Sequence, residues 1–351
     1  MRQPRLTRRI FTLTSALAVA TALTDRVLTP YAAVAAPPAW KQLAPDAPAP
    51  DARWDHTLSA DDEAKQLLVF GGRDANAAAL GDTWLFDLDA RSWTQIDGDA
   101  PPARFGHAVS VDQKTRRLYL FGGQSEDVFF NDTWQFDLET RRWKQLDAGD
   151  DVAPSPRYGL AGILDDRGDF IVSHGFTFEG RFDDTWSFNL NKKNWSDVSP
   201  TGDGLRPLKR CLHELVWNSS AKKILLYGGC SSGFGPCPQG DLWSYDPATQ
   251  TWTELTPASG PAARSNPALV WDPTSDRAYL LGGLTDTGYA ADLWSGTLVD
   301  DTFAWTALET SDAPTPRASH DTVIAGNHLY LFGGIGDAGT FNDLWRLNLP
   351  K

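Results

Sequence analysis

Apart from its first residue the chain contains no methionine, and it holds only three cysteines. Its core must therefore be aromatic and aliphatic, drawing on 15 Trp and 17 Phe, and 30 Gly imply many turns. Positive charge is also short: 32 Lys and Arg stand against 45 Asp and Glu, for a formal charge of −13. That deficit argues against general affinity for nucleic acid, whose phosphates need clustered Lys and Arg. It fits a protein kept soluble, and monomeric, by self-repulsion. Beyond the first segment no apolar run reaches the length of a membrane-spanning helix, so the mature chain should not cross a membrane. Nucleophile elbow, phosphate-binding Gly loop, dinucleotide fingerprint, Cys-x-x-Cys and His-Glu-x-x-His are all missing.

Residues 1–35 read as an export signal rather than as fold. Arg2, Arg5, Arg8 and Arg9 make a positive start, and an apolar stretch follows from Phe11 to Leu23. Ala33-Val34-Ala35 supplies small residues for cleavage, although Asp25 and Arg26 leave the cut site open. Thr7-Arg8-Arg9-Ile10-Phe11 resembles a twin-arginine signal, with an ordinary secretory signal as the alternative. The mature chain, 36–351, is then exported to a periplasmic or extracellular space. The segment carries five Arg and one Asp, so its removal leaves the remainder more acidic still.

What fills the mature chain is a repeat of about 52 residues, present six times. Gly-Gly follows an apolar run at 71–72, 122–123, 228–229, 282–283 and 333–334, and His174-Gly175 occupies the slot in the third copy. Asp-x-Trp follows each: Asp82/Trp84, Asp132/Trp134, Asp184/Trp186, Asp241/Trp243, Asp292/Trp294 and Asp343/Trp345. One Arg precedes each copy: Arg53, Arg104, Arg157, Arg210, Arg264 and Arg317. Each copy carries four short strand signals, in the second copy His107–Val111, Leu118–Phe121, Thr133–Leu138 and Trp143–Leu146. One such sheet cannot bury both faces alone, and stacking sheets in a ring solves this. Over residues 40–349 the pattern resembles Kelch repeats. The resemblance implies an all-β, six-bladed propeller with four antiparallel strands per blade.

The last blade lacks an outer strand of its own. Outer strands open on Trp93, Trp143, Trp195, Trp252 and Trp305, and one more step runs past Lys351. One step back from Trp93 lands on Trp40, and Trp40-Lys41-Gln42-Leu43 repeats Trp143-Lys144-Gln145-Leu146. Residues 40–43 are therefore expected to close the last blade and cover its open edge.

In such a ring the six Arg fall on one face, with His56, His107, His213 and His320 three residues further on. Two readings compete. The Arg, with Arg181, form an anion-attracting rim that binds a carboxylate or sulfate. Alternatively the six repeated Arg hold blades together by pairing with an Asp or a backbone carbonyl, and the His are likewise part of the repeat. Departures from the repeat cluster in copies three and four: Leu160, His174, Phe176, Phe178, Glu179 and Arg181, then Arg210-Cys211-Leu212-His213-Glu214 and a longer loop from Cys230 to Cys237. Copy five has Asn266-Pro267 in place of the His motif. His174, Glu179, His213 and Glu214 are the candidate acid–base groups, although strand alternation turns Glu214 away from His213. Ordinary surface loops are the alternative for the whole patch.

An exported protein meets oxidising conditions, so one disulfide is expected. Cys230–Cys237 would staple the long loop, while Cys211–Cys230 competes because the two face each other across a strand pair. No cofactor is expected; copper or zinc on the three Cys and His213, or iron, is the alternative. The function expected is binding of a small anion, a glycan or a protein on the Arg-bearing face. The alternative is an enzyme, since bacterial sialic acid mutarotases share blade number, export and an Arg-rich face, and the resemblance to them would imply acid–base opening of a sugar ring. Iron-binding plant specifier proteins are also six-bladed, but their Glu-x-x-x-Asp-x-x-x-His pattern is absent. Kelch copper-radical oxidases use a Tyr–Cys crosslink, for which Tyr158 and Cys211 are the nearest counterparts.

Overall fold

The second strand of every blade is an unbroken apolar run such as Gln66–Phe70, Arg117–Phe121 or Lys223–Tyr227, buried at four of its five positions. Alternation is absent because both faces of that strand meet a neighbouring blade. The outer strands alternate instead: Trp40–Leu43 and Thr251–Leu255 bury the Trp and expose the two residues after it. The computed structural model describes residues 36–43, 48–147, 149, 152–202, 204–231, 237–299 and 301–350. The expected export segment lies outside them. The compact unit begins at Pro37.

Six four-stranded antiparallel sheets form the ring. In the second blade the strands run Ala108–Asp112, Arg117–Phe121, Thr133–Asp137 and Arg142–Asp147, each bound within one residue or so of the sequence expectation. The sixth blade takes Asp321–Ala325, His328–Phe332 and Leu344–Asn348 from the end of the chain and Trp40–Leu43 from its beginning. Trp40 lies opposite Leu347 and Leu43 opposite Leu344, so closure follows the expected residues.

Among the described residues the core is divided rather than central. Apolar residues gather in six clusters, one at each seam between neighbouring blades. Leu68 and Phe70 of blade one, for example, meet Leu118, Leu120 and Trp143 of blade two. Leu43 belongs to the seam of blades six and one, and Trp40 to that of blades five and six.

The repeated polar residues complete each blade. Arg104 donates a fork of hydrogen bonds to Asp132 (2.6 and 3.0 Å), a third to the Gly122 carbonyl and a fourth, from Nε, to Pro102 O. Asp132 also accepts the Trp134 indole N–H at 2.7 Å. The same set recurs for Arg53, Arg157, Arg210, Arg264 and Arg317. The second Gly of each pair then donates to the Arg carbonyl of the next blade, from Gly72 to Arg104 around to Gly334 and Arg53. A side chain on Gly72 would meet the His56 Cβ at 2.7 Å at a φ of +100°, which explains the glycine.

Candidate functional site

The six repeated Arg are buried in the blades and do not form an exposed rim. All six Arg are at most 2% exposed, and their donors are spent on Asp and backbone carbonyls. Burial pushes the Asp82, Asp241 and Asp292 carboxyls up, and the paired guanidinium and indole N–H more than offset it, holding all three below the ordinary carboxylate value. Each Arg side chain is thus bonded within its own blade, and only its backbone carbonyl reaches the neighbouring one.

The four candidate acid–base residues do not converge. His213 is buried like His56, His107 and His320, and desolvation lowers all four, His107, His213 and His320 to about 3. His174 adopts the positive φ (58°) of the Gly it replaces and sits edge-on to His213, 5.2 Å between ring centres. Its Nδ1 meets Ser173 Oγ at 2.6 Å, and burial holds it neutral too. Glu179 is at an exposed hairpin tip. Arg181 turns inward to Cys230, Nε donating to the carbonyl at 3.0 Å. Glu214 and His213 both line the central cavity.

Cys230 and Cys237 are joined, and Cys211 is buried and free. Cys211 and Cys230 do oppose each other as a backbone bridge, but the Cys230 sulfur is already committed. Unreduced peptide mapping is expected to recover 230 linked to 237, with Cys211 alkylated only after denaturation. Recovery of a 211–230 linkage would overturn the pairing. Among the described residues no three His, Cys, Asp or Glu are grouped to hold a metal ion.

The geometry instead builds a collar that the sequence reading missed. Two residues after each Arg stand Asp55, Gly106, Gly159, Leu212, Asn266 and Ser319, every one at positive φ. Each backbone N–H donates to the carbonyl of its counterpart in the preceding blade, at 2.7–3.1 Å, and the sixth bond closes the circle from Asp55 to Ser319. Gly106 is required here, because a Cβ would lie 2.2 Å from the Tyr158 ring. The Asp55 carboxylate spans the collar. Asn266 Nδ2 and Tyr158 Oη donate to it, both at 3.4 Å, and Arg73 stands 3.6 Å away, its guanidinium 3.5 Å above the Phe105 ring. Burial raises the Asp55 carboxyl despite Arg73.

One residue after each Arg comes the surrounding rim: Trp54, Phe105 and Tyr158 over blades one to three, then Cys211, Ser265 and Ala318 over blades four to six. Each bridges to the residue following the Gly-Gly slot. From there hairpins rise at Gln124–Ser125/Val128–Phe129, Phe176–Thr177/Gly180–Arg181, Leu284–Thr285/Gly288–Tyr289 and Ile335–Gly336/Gly339–Thr340. Their exposed tips hold Glu126, Asp127, Glu179, Asp286 and Asp337. Among the acids stand the exposed apolar side chains Val128 (57%), Phe178 (67%) and Leu284 (41%). Phe129 packs edge-on against both Phe176 and Phe178, tying two hairpins together.

The KLHDC2/KLHL20/DRC7 Kelch-repeats domain matches the sequence twice, over residues 34–229 and 215–351. The chain belongs to the Kelch-repeat family. The Kelch relatives include acyl-CoA-binding domain-containing protein 5 of Arabidopsis thaliana, 36% identical over 168 residues, 47% of this chain and 26% of that protein. The leucine-zipper-like transcriptional regulator 1 homolog of Drosophila melanogaster is 25% identical over 305 residues, 81% of this chain and 30% of its own length. Adagio protein 3 of Arabidopsis thaliana is 27% identical over 304 residues, 82% of this chain and 48% of that protein. The matched region thus spans less than half of each of these relatives.

Proposed function

We propose that this Kelch propeller is an exported binding module that docks a protein partner on its hairpin crown. The observation that carries the reading is the exposed Val128, Phe178 and Leu284 standing among acidic hairpin tips. Exposed apolar groups rimmed by charge mark interaction surfaces. The relatives support a module, since in each of them the matched region is a fraction of a longer protein. Export rests on residues 1–35. The electrostatics reverse the initial expectation. With the six Arg consumed inside the blades, the crown offers carboxylates at Glu126, Asp127, Glu179, Asp286 and Asp337, so the partner should present Lys or Arg around an apolar or aromatic residue. Selection from a random peptide library on the immobilised propeller is expected to enrich such basic–aromatic sequences. Phe178→Asp should lose them with little change in melting temperature, because the side chain is exposed and its ring contact, with Phe129, joins two hairpin tips rather than the blade seams. Enrichment of acidic peptides, or binding indifferent to Phe178→Asp, would refute the crown as the docking face.

A further inference from the structure

Below the collar the six inner strands enclose a cavity of about 1030 Å³, separate from the crown. Four residues after each Arg stand Thr57, Ala108, Ala161, Glu214, Ala268 and Asp321, all but Ala268 on the cavity wall. Repeat packing is served by Thr or Ala in four blades, so the two acids are not demanded by the fold. They differ in their bonding. Asp321 is anchored, one oxygen accepting Leu58 N–H and the other Thr322 N–H, both at 2.7 Å. Among the described residues no hydrogen bond or ion pair reaches the Glu214 carboxyl. It is recessed deeply enough that burial and the nearby Asp321 raise its pKa well above the ordinary value, yet it keeps solvent-accessible surface, and it lines the cavity.

The wall around Glu214 is apolar and aromatic. Val109, Ile163 and Leu269 line the same cavity, and Trp217 and Trp271 stand at matching positions on blades four and five. Trp217 follows Glu214 by three residues on one strand, so alternation puts the two on opposite faces of blade four, whereas Trp271 packs with Val216, which shares the Glu214 face, in the seam of blades four and five. The Asp55 network spans the collar end, so a ligand enters from the opposite mouth, past the two indoles.

We infer that the channel is a binding site for an organic ammonium ion with an apolar body, the cation pairing with Glu214 and the body lying against Trp271. Three features select this class. A carboxyl that lacks a partner gains most from a desolvated cation. Indole faces favour cations and flat apolar groups alike. The nearby Asp321, its oxygens already engaged, adds negative potential without offering a competing ligand. Anions are disfavoured by both acids, and neutral solutes leave Glu214 unpaired.

The test uses the whole mature propeller with phenethylamine as probe, 2-phenylethanol as its neutral counterpart and phenylacetate as its anion. Phenethylamine is expected to bind with a Kd of about 1 mM or tighter, at least ~10-fold better than the alcohol or the acid. Calorimetry gives the affinity, and a change in Trp fluorescence reports the indole contact. Glu214→Gln should remove the preference for the amine while the alcohol binds as before, which separates loss of the cation site from misfolding. Trp271→Leu should weaken amine and alcohol together. Phe178→Asp, which tests the crown, should leave amine binding unchanged. Equal binding of amine and alcohol to the native protein would overturn the inference. So would an amine preference that survives Glu214→Gln, or no amine binding at roughly 10 mM.

Discussion

Deletion of residues 36–43 is expected to lower the melting temperature by ~10–20 °C, without changing the chemistry of the crown. The strand it removes makes the outer edge of blade six and buries Trp40 (4% exposed) and Leu43 (6%). Loss of a buried Trp costs about 3–5 kcal/mol and of a buried Leu about 2–5 kcal/mol. In a protein of this size each kcal/mol moves the midpoint by roughly 1.5–2 °C. The damage also spreads beyond one blade, because Leu43 packs into the seam with blade one and Trp40 into the seam with blade five. Trp40→Ala alone should produce about half the shift. Thermal unfolding followed by circular dichroism is the measurement, and an unchanged melting curve for the deletion would show that the strand is ornamental.

The second large effect is acid instability. His56, His107, His174, His213 and His320 are buried, and desolvation, aided by adjacent Arg or His, lowers all five. Unfolded, each takes a proton below about pH 6.5; folded, none does until far lower pH. A base whose pKa is lowered by folding contributes stability that is present above its unfolded pKa and lost as pH falls. Each such proton changes stability by ~1.4 kcal/mol per pH unit. Asp55, Asp62, Glu214 and Asp321 oppose this, because burial raises them, Asp321 to about 7. Their contribution is largest below the unfolded carboxyl pKa and is lost as pH rises. Between about pH 6.5 and 4.5 the two sets partly cancel. Below about pH 4 the raised carboxyls are protonated in both states and stop opposing, while Asp82, Asp241 and Asp292, held low, now lose stability along with the His. The melting temperature should therefore fall gently to about pH 4.5 and steeply beneath it. Glu214→Gln combined with Asp321→Asn removes part of the opposition, so that the upper limb becomes steeper. A melting temperature flat from pH 7 to 3.5 would contradict neutral, buried His.

The ring was legible because its determinants are repeated. Arg, Gly-Gly, Asp-x-Trp and the outer Trp recur at one spacing, so each copy corroborates the others, and Trp40–Leu43 was found by the same arithmetic. Repetition also left the role of the Arg open. An Arg seen six times on one face reads as a charged rim until Asp132 and its five counterparts are placed against it, and the fork geometry is set by folding, not by spacing. The informative positions were those where the copies disagree. Aligning them two and four residues past the Arg would have singled out Asp55, Asn266 and Ser319 for the collar and Glu214 with Asp321 for the channel. That signal was present, but its meaning depended on knowing which side chains enter the axis. The gathering of Phe129, Phe176 and Phe178 was hidden for another reason: the hairpins that join them belong to different blades, and no local pattern relates them.

Closure by Trp40–Leu43 also sets an order of events. Synthesis runs from the N-terminus, so Trp40–Leu43 is made long before its partner, Leu344–Asn348. Blades one to five can form as they emerge, each seam resting on its predecessor. The final seam cannot, and until residues 344–348 have emerged, Trp40–Leu43 has no strand to pair with. Completion is therefore a single late step rather than a gradual gain. A chain truncated anywhere before residue 344 leaves both ends of the ring open at once, and quality control would meet a molecule with two bare sheet edges.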